Sequence, residues 1–287
     1  MAEYPALEIA FLPPHDPALA ERLYALLDDF EPTAIHDDEL NDVWRVFFRA
    51  AAVRDAARSA LTSLPGVRTA AISVADEDWA RRSQEGLKAI SAGGLTVAPP
   101  WDVPRDSGRP VIMIEPSTGF GTGHHATTRL CLLLLQRLDL RGARVLDIGT
   151  GSGVLALAAW KLGAADVVAI DHDPDALDNA RENIARNGAA AAIDIIQDDL
   201  ASLRIERADV VLGNLTGAVL VRYADELRGL LTEHGCLLLS GFAPDDLTLV
   251  QSAFAGLTVV QSLAEGEWGA VLLARGRPRA TESPRSQ

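Results

Sequence analysis

The sequence predicts an α/β protein in two parts. A Rossmann-like domain with a mostly parallel seven-stranded sheet is preceded by a small ferredoxin-like α+β domain. Three observations lead there. From Arg144 onward, short apolar strands alternate with amphipathic helices. The first of those strands, "RVLDIG", runs straight into the glycine-rich turn "GTGSG". Before residue 75 the elements read strand, helix, strand, strand, helix, strand.

In the first part, "LEIAFL" (7–12) is a short strand. "HDPALAERLYALLDDF" reads as a helix with Asp16 as N-cap and Pro17 in its first turn, and with Leu19, Leu23, Leu26, Leu27 and Phe30 on one face. "PTAIHD" and "VWRVFF" are strands joined by the turn residues "DELND". "AAVRDAARSALTSL" is a helix and "VRTAAISV" the closing strand, so residues 1–75 form one domain.

Between residues 76 and 118, Gly93, Gly94, Pro99, Pro100, Pro104 and Pro110 interrupt any long element. This stretch reads as a linker with a hairpin, from "GLTVAP" through "PRDSGRP" to "VIMIEP". Trp79 and Trp101 are expected there as packing residues. The domain that follows, 119–276, opens with "GFGTGHHATT" and the strongly apolar helix "RLCLLLLQRL".

Strand–helix alternation then continues. "GVLALAAWKLG" is a helix, "DVVAID" a strand, and "DPDALDNARENIARNG" a helix capped by Asp173 and begun by Pro174. "AIDIIQ", "DVVLGN" and "GCLLLSG" are further strands, with "TGAVLVRYADELRGLL" as a helix between the last two. Residues 277–287 are polar and proline-containing and read as a disordered tail.

The 287 residues carry a formal charge of −14, which argues against a broad electrostatic grip on nucleic acid. A basic protein is the better macromolecular partner. Cys131 and Cys236 stand far apart in apolar runs, so they read as core thiols of a reducing compartment rather than a metal or redox pair. The opening "MAEYPALEIAFLPPHD" lacks a basic region followed by a long apolar segment, and no apolar run approaches the ~20 residues that span a bilayer. A soluble, cytoplasmic monomer is expected.

The chemistry concentrates at "VLDIGTGSGVLALAA". Gly149, Gly151 and Gly153 suit a sharp turn between strand and helix that lets a ligand approach the backbone. The spacing is G-x-G-x-G, and Val154 occupies the place of the third glycine in a dinucleotide fingerprint. No GK[ST] follows, which excludes a phosphate-cradling loop of that kind. The next strand ends in Asp171, about 20 residues past the glycines, where a carboxylate can accept both hydroxyls of an adenosine ribose. Asp173, just before Pro174, fits the helix cap and leaves Asp171 free. After the third strand, Asp198 or Asp199 could take an adenine amino group or simply form a solvated turn. Asn214 ends the fourth strand, at the crevice where open α/β sheets bind ligands.

This combination is that of an S-adenosylmethionine-dependent methyltransferase of the Rossmann-like class I, with an NAD enzyme as the weaker alternative. The absence of an acid–base constellation is consistent with it, because a sulfonium methyl donor is already activated and needs proximity and alignment. Asn214 would act by positioning only.

The chain further resembles the PrmA family, methyltransferases of large-subunit ribosomal protein eleven. The segments that carry the resemblance are "FGTGHHATTRLCL", "GTGSGVLALAAWKLGA", "AIDHDPDALDNARENIARNG", "GNLT", "SGFAPDD" and "EGEWGAVLLARG", the last around Trp268. It extends over roughly the last two thirds of the chain. The resemblance implies S-adenosyl-L-methionine as cofactor, contacted by Thr128, Gly149, Asp171 and Asn214. Gly151 and Asp198 join them from the turn and strand pattern. It also implies that residues 1–75 recognise a substrate protein, a large-subunit ribosomal protein methylated on lysine or α-amino groups.

The sequence departs from the family pattern at His124, Ala126 and "GNLTG", and "EPSTG" enters the loop in place of "DPGLA". Two alternatives stay open: a small-molecule amine methyltransferase, and a protein-binding module with a vestigial methyltransferase fold. The fourth-strand motif lacks the ring of base methylases, so direct nucleic-acid readout is not expected. His124 and His125 have no third ligand at metal spacing, and no metal site is expected. A loop that positions the cofactor, or a helix cap, suits them better.

Overall fold

The computed structural model describes residues 3–13, 19–30, 32–38, 42–62, 64–75, 87–105, 108–116 and 124–276. Asp16, Pro17, Trp79, the loop glycines Gly119, Gly121 and Gly123, and the tail 277–287 lie outside them. The described residues fall into two compact units. One runs up to Leu87 and includes Pro116; the other comprises Lys88–Glu115 and residues 124–276.

The first unit is a four-stranded antiparallel sheet with two helices: β1 (Glu3–Phe11), α1 (Leu19–Asp28), β2 (Ala34–Asp38), β3 (Val43–Phe47), α2 (Ala51–Leu61) and β4 (Val67–Ala75). The strand order β2-β3-β1-β4 is that of a ferredoxin-like sheet. Strand alternation builds its core. Leu7 and Ile9 of β1 and Trp44 and Val46 of β3 pack with Leu19, Leu23 and Leu27 of α1 and Ala57 and Leu61 of α2. Leu26, expected on the same helical stripe, is 37% exposed. The four-residue steps from Leu19 to Leu23 to Leu27 already fill that stripe, and Leu26 falls at its edge.

The second unit begins with three short strands, β5 (Ile90–Ala92), β6 (Leu95–Ala98) and β7 (Val111–Met113). The sequence expectation of a hairpin joining "GLTVAP" to "VIMIEP" is overturned, since β6 and β7 pair in parallel. The hairpin lies one strand earlier, between β5 and β6, where Gly93 turns at φ +61°. Parallel pairing requires a crossover, and the proline-rich stretch with a single 3₁₀ turn at Pro100–Asp102 provides it. Ala92, Leu95, Val97, Ile112 and Ile114 are buried in the main core of this unit, so the segment is structured rather than a free linker. Trp101, expected as a packing residue, is 48% exposed in the 3₁₀ turn.

The remaining elements are α3 (Ala126–Leu135), β8 (Arg144–Ile148), α4 (Val154–Lys161), β9 (Asp166–Asp171), α5 (Pro174–Arg186), β10 (Ile193–Gln197), β11 (Ala208–Asn214), α6 (Gly217–Arg222), α7 (Ala224–Gly229), β12 (Leu231–Phe242), α8 (Leu247–Ala253), β13 (Thr258–Glu265) and β14 (Trp268–Ala274). They form a seven-stranded sheet of order β10-β9-β8-β11-β12-β14-β13, in which β14 is antiparallel to both its neighbours. The helix expected over "TGAVLVRYADELRGLL" is two short helices broken at Tyr223, which leaves helical geometry at φ −107°, ψ 25°.

Both faces of the sheet are covered, which explains the near-continuous apolar strands. Val145, Val167, Ala169, Val210 and Leu212 face the core shared with α3, α4 and α5. Leu146, Val168, Ile170, Val211 and Leu237 face the opposite core with α6, α7 and α8. Cys131 and Cys236 are buried and unbridged. Among the described residues, no helix is long and apolar enough to cross a membrane.

Candidate active site

Strand β8 ends against the glycine turn at the carboxyl edge of the sheet, with β9 on one side and β11 on the other. This is where the chain's direction of travel across the sheet reverses, the place where such sheets bind ligands. The N–H groups of Gly149 and Thr150 both donate to the Ile170 carbonyl of β9 at 2.9 Å. Gly149 adopts φ +69°, and a Cβ there would lie 2.5 Å from Leu215 Cδ2. The left-handed backbone calls for glycine, and the Leu215 side chain would have to shift to admit any other residue. Because Leu215 follows Asn214 directly, the same contact brings the end of β11 against the end of β8.

Asp171 ends β9 and is 8% exposed. Its Oδ2 accepts the Gly151 N–H at 3.0 Å and its Oδ1 accepts the Asp173 N–H at 3.1 Å. The two aspartates divide their work as the sequence suggests. Asp173 caps α5, taking the Asp175 N–H at 3.0 Å, while Asp171 faces the glycine turn. A carboxylate has about four acceptor positions. Each oxygen takes one backbone N–H, and His172 Nδ1 lies 3.5 Å from Oδ1, so Oδ2 is the oxygen with an acceptor position that suits a ribose hydroxyl.

Asp198 follows β10, and its N–H donates to the Asp171 carbonyl at 3.1 Å. Its Oδ1 accepts the Asp199 N–H at 2.8 Å and the Ser202 hydroxyl at 3.1 Å, so it builds the turn after the strand. Asp199 Oδ1 caps the same turn through the Ala201 N–H at 2.8 Å. Asn214 is half-buried at the end of β11 and makes no side-chain hydrogen bond among the described residues. Nearby in sequence, the Thr216 hydroxyl is buried with no hydrogen-bond partner.

The structure adds Asp147, which sequence reasoning did not single out. It lies on β8 at 1% exposure, and Oδ2 accepts both the Thr150 hydroxyl at 2.7 Å and the Ala156 N–H of α4 at 3.0 Å. One buried oxygen thus ties the glycine turn to the helix that follows it. Burial pushes the carboxyl pKa up to about 6, against the lowering effect of those two hydrogen bonds, and the nearby charge of Asp171 raises it further. A charged residue inside an apolar strand was the signal available in the sequence.

The described part of the opening motif contains both histidines and the last two threonines, Thr127 and Thr128. His125 is the N-cap of α3, its Nδ1 taking the Thr127 N–H at 3.4 Å and sharing a 2.8 Å hydrogen bond with the Thr127 hydroxyl. Its ring meets Trp268 edge-on at 4.8 Å. Burial lowers its pKa to about 4, the Arg129 charge lowers it further, and Glu265 opposes both. His125 is therefore neutral at ordinary pH, as an accepting cap must be. His124 Nε2 bonds the Lys88 carbonyl at 2.8 Å, and Arg129 holds the His124 carbonyl while pairing with Glu265. Among the described residues no group of three or more His, Cys, Asp or Glu is placed to hold a metal. Thr128 is 1% exposed in the first turn of α3.

Of the residues expected from sequence, Gly151 and Asp198 are both hydrogen-bonded to Asp171, Gly149 is bonded to the preceding Ile170 carbonyl, and Asn214 ends β11, the strand paired with β8 on its other side. Thr128 is not hydrogen-bonded to any of these.

Fold and site together define a class I S-adenosylmethionine-dependent methyltransferase. The model of the family described as Ribosomal protein L11 methyltransferase (PrmA) matches residues 25–276. The chain belongs to that family. It is 42% identical over 214 residues to the ribosomal protein L11 methyltransferase of Pelotomaculum thermopropionicum, a match covering 72% of this chain and 70% of that one. It is 39% identical over 216 residues to the enzyme of the same name from Deinococcus radiodurans, covering 70% and 78%. Among solved structures it is similar to a ribosomal protein L11 methylase from Lactobacillus delbrueckii subsp. bulgaricus, with TM-score 0.62, 28% identity, and coverage of 67% of this chain and 100% of the other.

Proposed function

We propose that this enzyme methylates lysine or α-amino groups of the large-subunit ribosomal protein L11, and that Thr128, Gly149, Gly151, Asp171, Asp198 and Asn214 hold its S-adenosyl-L-methionine. The observation that carries the site assignment is Asp171, a buried carboxylate at the end of β9 fastened to the glycine turn through Oδ2. The relatives' shared name supports the substrate, and the formal charge of −14 suits a basic ribosomal protein. The ferredoxin-like unit supplies the substrate-recognition domain in this reading.

When bound, S-adenosylmethionine would supply an activated methyl group for the acceptor amine. The protein's task is to bind, align and exclude water. Asp171 would orient the ribose, and Gly149 would carry the sharp turn beside it in its left-handed conformation. Asn214 serves as a positioning residue: its free amide can accept from or donate to the incoming amine, which must arrive without its extra proton. No side chain is needed as a strong base, because the departing proton can pass to water after transfer.

Calorimetry with S-adenosylmethionine tests the site. Absence of binding by the wild type, or binding unchanged in Asp171→Ala, would refute it. Incubation of a ribosomal-protein fraction with cofactor labelled in the methyl group tests the substrate. Label is expected in L11, whereas label confined to small metabolites would refute a protein substrate.

A further inference from the structure

Asn183 of helix α5 and Asn187, the residue that caps its C-terminus, stand one turn apart in the segment "NARENIARN". Asn187 treats β7 as a neighbouring strand would. Its Oδ1 accepts the Met113 N–H at 2.9 Å, and its Nδ2 donates to the Met113 carbonyl at 2.7 Å. These bonds pin β7 to the helix and reach no part of the glycine turn.

Asn183 has a different set of partners. It is fully buried, and its Nδ2 donates to the Ser152 carbonyl at 3.0 Å and lies 3.3 Å from Asn179 Oδ1. Its Oδ1 accepts the Glu115 N–H at 2.8 Å. Ser152 lies within the glycine turn at 3% exposure, and its carbonyl belongs to the peptide that leads into Gly153 at φ +79°. Gly153 in turn donates its N–H to the Thr150 carbonyl at 2.9 Å. The same helix packs on this glycine, since a Cβ at Gly153 would lie 3.5 Å from Ala180 Cβ and 3.7 Å from Ile184 Cδ1.

We infer that Asn183 is a positioning residue for the cofactor: its amide sets the Ser152–Gly153 peptide, and through it the Gly149–Gly153 turn, while anchoring that turn to the backbone at Glu115. A buried carbonyl without a donor would be costly, so the turn takes the conformation in which Asn183 can reach it. Asp147 holds the turn from the sheet side through Thr150, and Asn183 holds it from the helix side through Ser152. The two anchors hold the turn in the conformation in which the Gly151 N–H donates to Asp171. This inference rests on the assignment of the turn to S-adenosylmethionine.

The test compares the same chemical change at both asparagines in the full chain. Asn183→Asp and Asn187→Asp keep the size and one acceptor but replace the donating amide with an oxygen. Thermal midpoint and the calorimetric Kd for S-adenosylmethionine are measured for each at pH 8. Both variants are expected to unfold at lower temperature, yet only Asn183→Asp should weaken the cofactor, by about tenfold or more, with Asn187→Asp within about twofold of wild type. Asn183→Ser, which retains a small donor, provides the same comparison if the aspartate variant does not fold. Equal cofactor affinity in a folded Asn183 variant and the wild type would overturn the inference, as would equal weakening at both positions. Failure of the wild type itself to bind would instead refute the site assignment beneath it.

Discussion

The N–H of Gly151 donates to Asp171 Oδ2 across 3.0 Å, so the acidic end of one strand is joined to the glycine turn that follows its neighbour. Asp171→Asn replaces one acceptor oxygen with an NH₂ that cannot accept from Gly151, Asp173 or a ribose hydroxyl. A hydrogen bond to a charged group contributes about 1.5–3 kcal/mol. Affinity for S-adenosylmethionine should therefore fall by roughly 10- to 100-fold, read by calorimetry. A Kd within a factor of two of wild type would remove Asp171 from the cofactor site.

Asp147 titrates in the opposite sense to an ordinary stabilising carboxylate. Its folded pKa, about 6, lies above the usual 3.8, so the folded state binds the proton more tightly. Stability from this group is complete at low pH and is lost as pH rises from about 4 to 6, by roughly 3 kcal/mol in all. Asp147→Asn keeps a carbonyl oxygen for Thr150 and Ala156 and does not ionise. In urea unfolding, the variant should gain on the wild type across that window and hold its gain above it. A pH-independent difference would contradict this. Asp147→Ala orphans both donors and should be less stable than Asp147→Asn by about 2–4 kcal/mol at any pH in the range, since neither variant ionises there.

His125 shifts the other way. Its folded pKa, about 4, lies below the ordinary 6.5, so protons bind preferentially to the unfolded chain in between. Its contribution to stability is present above pH 6.5 and fades as pH falls toward 4. His125→Asn, which can still cap α3, should lose less stability on acidification than the wild type. Removing the Glu265 charge in Glu265→Gln should lower the His125 pKa further, visible by NMR titration of the ring. The Arg129–Glu265 pair itself is partly exposed, so that variant should cost no more than about 1 kcal/mol, and less at high salt.

Gly149→Ala meets two obstacles, a left-handed backbone and a side-chain atom 2.5 Å away on Leu215. The backbone alone costs about 1–2 kcal/mol. Leu215 must also move, and it carries Asn214 beside it. Denaturant midpoint and cofactor affinity should fall together, and Leu215→Ala in the same chain should recover part of the stability loss. No recovery would mean that the Leu215 contact is not what excludes the side chain.

Much of this site can be read along the chain because its parts sit at the ends of strands. Gly149, Asp171, Asp198 and Asn214 each end or follow an apolar strand, and parallel pairing brings those ends to one edge. Asp147 and Asn183 escaped notice for a common reason. Their partners, Thr150 and Ala156 for one and Ser152 and Glu115 for the other, include contacts that exist only once helices are packed on the sheet. For His125 the sequence left a cofactor-positioning loop or a helix cap open, and its observed bonds are those of a helix cap beside Trp268.

By itself the sequence determined the two-part architecture, the glycine turn and the acidic strand ends, since these follow from local periodicity and backbone permission. Only the tertiary structure decided that β6 and β7 pair in parallel, that the 88–115 segment packs into the main core, and which polar side chains brace the turn. Strand direction depends on a crossover of many residues. A buried amide or carboxyl, likewise, shows its purpose only when the distant backbone group it satisfies has been brought within about 3 Å.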